Sequence, residues 1–166
     1  MELLILRHAI AYPRDAGRWP DDDERPLTAQ GIRRARRAAT GLKRILQRPQ
    51  LVLTSPLVRA RDTAMIFRQA AGWPRAVQCA VLTPSSQPAQ TLEMLRREGA
   101  KAKCVAVVGH QPHLGRLLAL CLRGDCRPEA FELKKSAVAW IWFDRLPTAH
   151  AGELRALLPP KALRQL

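Results

Sequence analysis

An α/β fold, with a mostly parallel central sheet between two helical layers as a three-layer α/β/α sandwich, is predicted by three observations. Short apolar runs alternate along the chain with longer segments whose apolar residues recur at helical spacing. Two of the runs, Leu3-Leu4-Ile5-Leu6 and Val105-Ala106-Val107-Val108, contain no polar residue, as strands covered on both faces require. Each is followed within two residues by a histidine, His8 and His110, at the carboxyl edge where open α/β sheets bind their ligands.

The elements follow in order. Residues 2–6 read as a buried strand, and residues 9–26 as a polar loop holding Pro13, Gly17, Pro20 and the acidic run Asp21-Asp22-Asp23-Glu24. Thr28 is placed to cap a helix running to about Gln47, with Ile32, Ala35, Ala39, Leu42 and Leu46 on its apolar face and most of its arginines on other faces. Leu51–Thr54 is the next strand. Ser55 as N-cap and Pro56 at the first helical position then start a helix that runs to about Ala71 and stops at Gly72-Trp73-Pro74. A weaker strand covers Val77–Leu82, and the loop 83–88 leads into a helix to about Arg97. Residues 104–108 form the central strand, and Pro112 opens a helix to about Leu122. Ala137–Phe143 reads as a buried strand and Leu154–Leu158 as a last one; Pro159-Pro160 and the basic end read as a surface tail.

The 166 residues suit one domain with a proper core, taken as 1–166. No apolar run approaches the roughly 20 residues of a membrane span, and the run before Arg7 is too short for a signal-peptide core, so a cytoplasmic protein is expected. Cys121 and Cys126 are too far apart for a zinc-binding pair, no second pair accompanies them, and no metal or cofactor is expected. Lys and Arg number 28 against 14 acids, a net charge of +14. The basic residues are spread over several helices and do not interleave with aromatics as a strand-stacking surface would require, so they read as solvated faces and not as a nucleic-acid site.

In a parallel sheet the ends of the first, second and central strands share an edge. Arg7, His8, Arg59 and His110 are therefore placed to converge although they lie far apart in sequence, and helix N-termini after Pro56 and Pro112 direct free N–H groups the same way. Guanidinium forks and helix N-termini suit a dianionic phosphoryl group. No carboxylate cluster of the kind that holds Mg²⁺ adjoins these positions and no P-loop is present, which leaves transfer through a histidine nucleophile as the economical mechanism. A phosphate-binding or nucleic-acid-binding module without turnover is the reading of another class.

Four blocks carry a resemblance: Leu6-Arg7-His8-Ala9, Arg25-Pro26-Leu27-Thr28, Ser55-Pro56-Leu57-Val58-Arg59-Ala60-Arg61-Asp62-Thr63-Ala64 and Val107-Val108-Gly109-His110. Their order and spacing resemble the histidine phosphatase (phosphoglycerate mutase-like) superfamily, and with the short length and Lys135-Ser136-Ala137-Val138-Ala139 they look most like its SixA branch, the phosphohistidine phosphatases. The resemblance implies a phosphoglycerate mutase-like fold and a metal-independent phosphatase. It makes His8 the transiently phosphorylated nucleophile, sets Arg7, Arg59 and His110 on the phosphoryl oxygens, and turns Arg25 toward the pocket. The implied partner is a phosphorylated protein such as a histidine phosphotransfer domain, or a small phosphorylated substrate.

Two departures from the family pattern bear on the substrate. Ala9 stands where the usual motif has glycine. More consequentially, Leu82-Thr83-Pro84-Ser85-Ser86-Gln87 lacks the glutamate of mutase-like members, and Gln111 stands where acid-phosphatase members have an aspartate. An alkoxide leaving group needs a proton donor, whereas a protonated phosphoimidazole departs as neutral imidazole with far less help. The chain is thus better suited to P–N than to unactivated P–O cleavage, with small-molecule phosphomonoesterase activity as the alternative and Asp15 or the 21–24 run as the acid it would need. Among the remaining histidines, His113 reads as a capping or packing residue with a substrate contact as the alternative, and His150 as exposed.

Overall fold

Leu3 and Ile5 point to one face of strand β1 (Glu2–Arg7), Leu4 and Leu6 to the other, and this alternation splits the core in two. The computed structural model describes residues 1–126 and 131–166. On one face of the sheet lie helices α1 (Ala29–Ile45), α2 (Val58–Ala71) and the short α5 (Pro160–Leu163). There Ala38, Leu42, Ala60, Phe67 and Leu163 meet Leu4, Leu6, Val52, Ala106 and Val108. On the other face, Leu92 and Leu95 of α3 (Pro88–Glu98) and Leu114, Leu117 and Leu118 of α4 (His113–Arg123) meet Leu3, Ile5, Val105 and Val107. The predicted three-layer α/β/α sandwich is the observed architecture.

The sheet is completed by β2 (Leu51–Thr54), β3 (Val77–Gln78), β4 (Cys104–Gly109), β5 (Val138–Trp142) and β6 (Glu153–Leu158), in the order β3-β2-β4-β1-β5-β6. The first four are mutually parallel, while β5 runs antiparallel to β1 and β6 antiparallel to β5. Register places the site: Arg7 pairs with Gly109 and Thr54 with Val108, so three strands end side by side. The His8 amide then donates to the Gly109 carbonyl at 3.0 Å and the Ser55 amide to the Val108 carbonyl at 2.9 Å, which carries the alignment one residue past the strands.

Several element boundaries read from the sequence hold. Thr28 caps α1, its hydroxyl accepting from the Gly31 amide at 2.9 Å. Gly72 ends α2 in the left-handed conformation at φ 72°, a turn that glycine adopts without steric cost. Pro112 directly precedes α4.

Four expectations need correction. Helix α2 begins at Val58 with no side-chain cap, because the Ser55 hydroxyl turns across the sheet edge to His110 and sits 3.4 Å from the Leu57 amide. The strand over Val77–Leu82 shrinks to Val77–Gln78; after Cys79 the chain coils into a single 3-10 turn, Ala80–Leu82, which buries Leu82 completely. Ile32 lies outside the apolar face of α1 and is 37% exposed, because Gly31, Ala35, Ala38 and Leu42 make that face. The C-terminal segment is not a surface tail. Leu163 is fully buried, and at Gly41 of α1 any Cβ would run into the Leu163 carbonyl, so the absent side chain is what lets α5 dock.

Candidate active site

Four segments meet at the carboxyl edge of β1, β2 and β4: the end of β1, the start of α2, the β4–α4 junction and the 21–25 loop. His8 and His110 face each other with ring centroids 4.9 Å apart and planes tilted by 52°. The His8 Nδ1 lies 2.7 Å from the Ala9 carbonyl. A carbonyl only accepts, so Nδ1 carries the proton and the lone pair is left on Nε2. Behind the ring, Thr63 fixes the loop: its hydroxyl accepts from the Ala9 amide at 2.9 Å and donates to the Arg59 carbonyl at 2.7 Å. One α2 side chain thus joins the backbone of the His8 loop to that of Arg59.

Arg7 donates from Nη1 to the Leu133 carbonyl at 2.6 Å. Arg59, its side chain only 3% exposed, donates from Nη1 to the Asp22 carbonyl at 2.7 Å and holds the Asp22 carboxylate at 3.1 Å through Nη2. His110 uses Nε2 on the Ser55 hydroxyl at 2.9 Å. That leaves Arg7 Nε, Arg59 Nε and His110 Nδ1 buried and without a hydrogen-bond partner among the described residues. Native interiors leave few polar nitrogens unsatisfied, and here three belong to one site. Such a constellation is built to receive an anion with several oxygens.

Both histidines are neutral. Burial drives His8 down to about 3; the Ala9 carbonyl opposes the shift, and the charges of Arg59, Arg7 and Lys135 reinforce it. Withdrawal from water is the larger cause and the neighbouring cations the smaller one. His110 is pushed to about 2, again chiefly by burial, with His8 and Arg59 adding to it. His110 therefore offers the site a neutral ring and no positive charge.

The chain has relatives that bear on this arrangement. Residues 3–81 match the family model of the histidine phosphatase superfamily (branch 1), a stretch that includes Arg7, His8, Arg25 and Arg59. An uncharacterized protein of Picosynechococcus sp. (strain ATCC 27264 / PCC 7002 / PR-6) is 38% identical over 116 residues, 69% of either chain. The chain belongs to the histidine phosphatase superfamily. Among solved structures, the protein histidine phosphatase SixA complexed with tungstate superposes with a TM-score of 0.83 at 26% identity, covering 98% of this chain and 99% of that one. A structure named for SixA from Nakamurella multipartitia gives 0.78 at 25% identity, over 96% and 95%. The chain matches structures of the superfamily's SixA type, and it is a phosphatase, a hydrolase of the class that acts without metal.

Within this histidine phosphatase, the positions singled out as departures have definite places. Ala9 is fully buried, its methyl accommodated. Gln111 donates from Nε2 to the Phe131 carbonyl at 2.9 Å and accepts from the Gly115 amide at 2.7 Å, so both ends of its amide are engaged with backbone. The acid-free 82–87 loop is held by His113, which donates from Nδ1 to the Ser86 carbonyl at 2.9 Å and contacts the Thr91 hydroxyl through Nε2 at 2.9 Å. Of the acids considered for the reaction, Asp15 is spent on the local amides of Gly17 and Arg18. From the 21–24 run, Asp22 makes direct contact with Arg59.

Asp22 also settles where Arg25 sits. Arg25 Nε donates to Asp22 Oδ1 at 2.8 Å and its Nη1 to the Tyr12 carbonyl at 2.6 Å, and its charge acts on Arg59 and Lys135. The hydrogen bond from Arg25 holds the Asp22 carboxyl below the usual carboxylate range, with Arg59 and Arg14 helping. Three neighbours went unassigned in the sequence: Ser55, Asp22 as a partner of Arg59, and Lys135, whose charge acts on His8. Lys135 was quoted only as part of a family block, and nothing in local spacing ties it to β1. Ser136 beside it is left-handed at φ 65°, and its amide bonds the carbonyls of Arg7 and His8 at 3.1 and 3.3 Å.

A surface cleft of about 350 Å³ lies between α2 and β3, lined by Arg61, Asp62, Met65, Arg68 and Arg75. Neither of the facing histidines lines it. Among the described residues no group of three or more His, Cys, Asp or Glu is arranged to hold a metal ion, and no helix is long and apolar enough to cross a membrane.

Proposed function

We propose that the protein dephosphorylates phosphohistidine on a partner protein, with His8 as covalent nucleophile. The observation that carries this reading is the His8 ring: its Nδ1–H is fixed on the Ala9 carbonyl and its Nε2 lone pair stands among nitrogens that lack partners. In the first step Nε2 forms an N–P bond as the bond from phosphorus to the leaving nitrogen breaks. The bonding pair goes to the substrate imidazole, which leaves neutral if its other nitrogen already carries a proton. Arg7, Arg59 and His110 bind the equatorial oxygens, where charge-assisted contacts are worth roughly 1.5–3 kcal/mol each. Water then attacks phosphorus, the N–P bond to His8 breaks, and phosphate is released.

The leaving group decides between substrates. Asp22, the carboxylate in contact with Arg59, is held ionised by Arg25 and Arg59 and is no proton donor in that state. This supports an imidazole leaving group over an alkoxide. A phosphorylated histidine phosphotransfer domain fits as partner, because such domains are often acidic and a chain of +14 would meet them faster. The reading places the enzyme in the cytoplasm with its substrate. The test compares kcat/KM for a phosphohistidine protein with that for an alkyl phosphomonoester. A ratio of at least about 10², the lower end of what general acid catalysis supplies, is expected; equal values would reject the P–N preference and favour a phosphomonoesterase.

A further inference from the structure

We infer that Ser55 is a positioning residue that locks His110 in its Nδ1–H tautomer, so that a neutral N–H points at the phosphoryl group. The inference rests on the phosphoryl-site reading above and deepens it.

Proton accounting carries it. Ser55 is fully buried, and its hydroxyl has one hydrogen to give. The Leu57 amide, 3.4 Å away, is itself a donor and can only take up one of the oxygen's lone pairs. Among the described residues His110 Nε2, at 2.9 Å, is the one acceptor within reach of Ser55 Oγ. The hydroxyl therefore donates to Nε2, Nε2 carries the lone pair, and the ring proton sits on Nδ1. The reverse tautomer would leave the serine hydrogen buried with nothing to accept it, a loss of about 1–3 kcal/mol or roughly 5- to 150-fold in population. His110 Nδ1 is the atom of that ring with no partner, on the residue whose ring faces His8.

The lock makes the two histidines complementary. His8 is tied through Nδ1 to the Ala9 carbonyl and presents a lone pair; His110 is tied through Nε2 to Ser55 and presents a hydrogen. Without the serine, His110 could turn a second lone pair toward the phosphoryl oxygens and repel them. The same backbone that aligns the strand ends sets the distance, since the Ser55 amide is held on the Val108 carbonyl, two residues before His110.

The test labels histidine with ¹⁵N and reads the tautomer of His110 in the ligand-free protein, then titrates inorganic phosphate. The wild-type protein is expected to show Nε2 as the unprotonated nitrogen and Nδ1 as the protonated one, with phosphate shifting Nδ1 and leaving Nε2 as it is. Ser55→Ala should release the tautomer preference and lower kcat/KM on a small phosphoramidate about tenfold, and Ser55→Thr, which keeps the hydroxyl, should restore both. A protonated Nε2 in the wild-type protein overturns the proposal, and this arm requires no variant to fold. So does a Ser55→Ala protein with unchanged tautomer and activity within twofold. An intact tautomer whose Nδ1 ignores phosphate would instead overturn the phosphoryl-site reading on which the proposal stands.

Discussion

The carboxylate of Asp22 lies 3.1 Å from Nη2 of Arg59, an arginine whose side chain is almost wholly buried at the edge that carries both facing histidines. In the ligand-free protein an acidic loop thus occupies a guanidinium that the proposed reaction assigns to phosphate. The carboxylate is itself 40% exposed, while the Arg59 side chain is only 3% exposed in the first turn of α2.

Asp22 and the phosphoryl group should therefore compete. Asp22→Asn is expected to tighten inorganic phosphate binding by up to about fivefold, the worth of a partly exposed ion pair. KM for a phosphohistidine substrate should fall with it while kcat stays within twofold. Calorimetry and steady-state kinetics check both. A kcat reduced tenfold or more would mean that Asp22 delivers a proton in the reaction.

The Thr63 hydroxyl links the His8 loop to α2, accepting from Ala9 N–H and donating to the Arg59 carbonyl. Thr63→Val keeps the shape and removes both bonds, leaving a buried amide unsatisfied. A loss of about 1–3 kcal/mol in stability is expected, together with a lower kcat as His8 loses its fixed approach. Urea unfolding and a turnover assay read the two effects, and a variant unchanged in both would show that the link is dispensable.

The buried histidines predict how stability depends on pH. His8 and His110 are neutral in the native state down to about 3 and about 2, and His113 is also lowered by burial. In the unfolded chain each takes up a proton below its ordinary value of about 6.5. The unfolded state therefore binds more protons through this window, so stability falls as pH falls from about 6.5 toward those native values. The slope is roughly 1 kcal/mol per pH unit for each such histidine. Denaturant titrations between pH 7.5 and 4.5 should show the fall, and a flat profile would mean that these rings are protonated in the folded protein.

Docking of α5 is a matter of packing. Leu163→Ala removes a fully buried side chain from the α1 face of the core and should cost about 2–5 kcal/mol. Gly41→Ala should be comparably damaging, since its methyl meets the Leu163 carbonyl. A change under about 0.5 kcal/mol in either variant, measured by chemical denaturation, would place α5 outside the cooperative fold.

Much of this was legible in the sequence because it depends on local pattern. Apolar runs fixed β1, β2, β4 and β5, Thr28 and Gly72 bounded helices, and the positions after three strands brought Arg7, His8, Arg59 and His110 to one edge. What was missed depends on partners distant in sequence. Ser55 followed by Pro56 has the form of a helix cap, and only the pairing of β2 with β4 reveals that its hydroxyl meets His110, 55 positions away. Asp22 belongs to an acidic run that looks solvated until the loop folds back over α2. The basic C-terminus reads as a tail because one leucine in a four-residue helix leaves no periodicity to detect.

In the proposed reaction His8 becomes phosphorylated. Incubation with a ³²P-labelled phosphohistidine protein, quenching on the millisecond timescale and mapping of the labelled peptide test it directly. An acid-labile, base-stable phosphoryl group is expected on His8, forming and decaying at rates compatible with turnover and absent from His8→Ala. Turnover by His8→Ala at the wild-type rate, or label on any other residue, would contradict it.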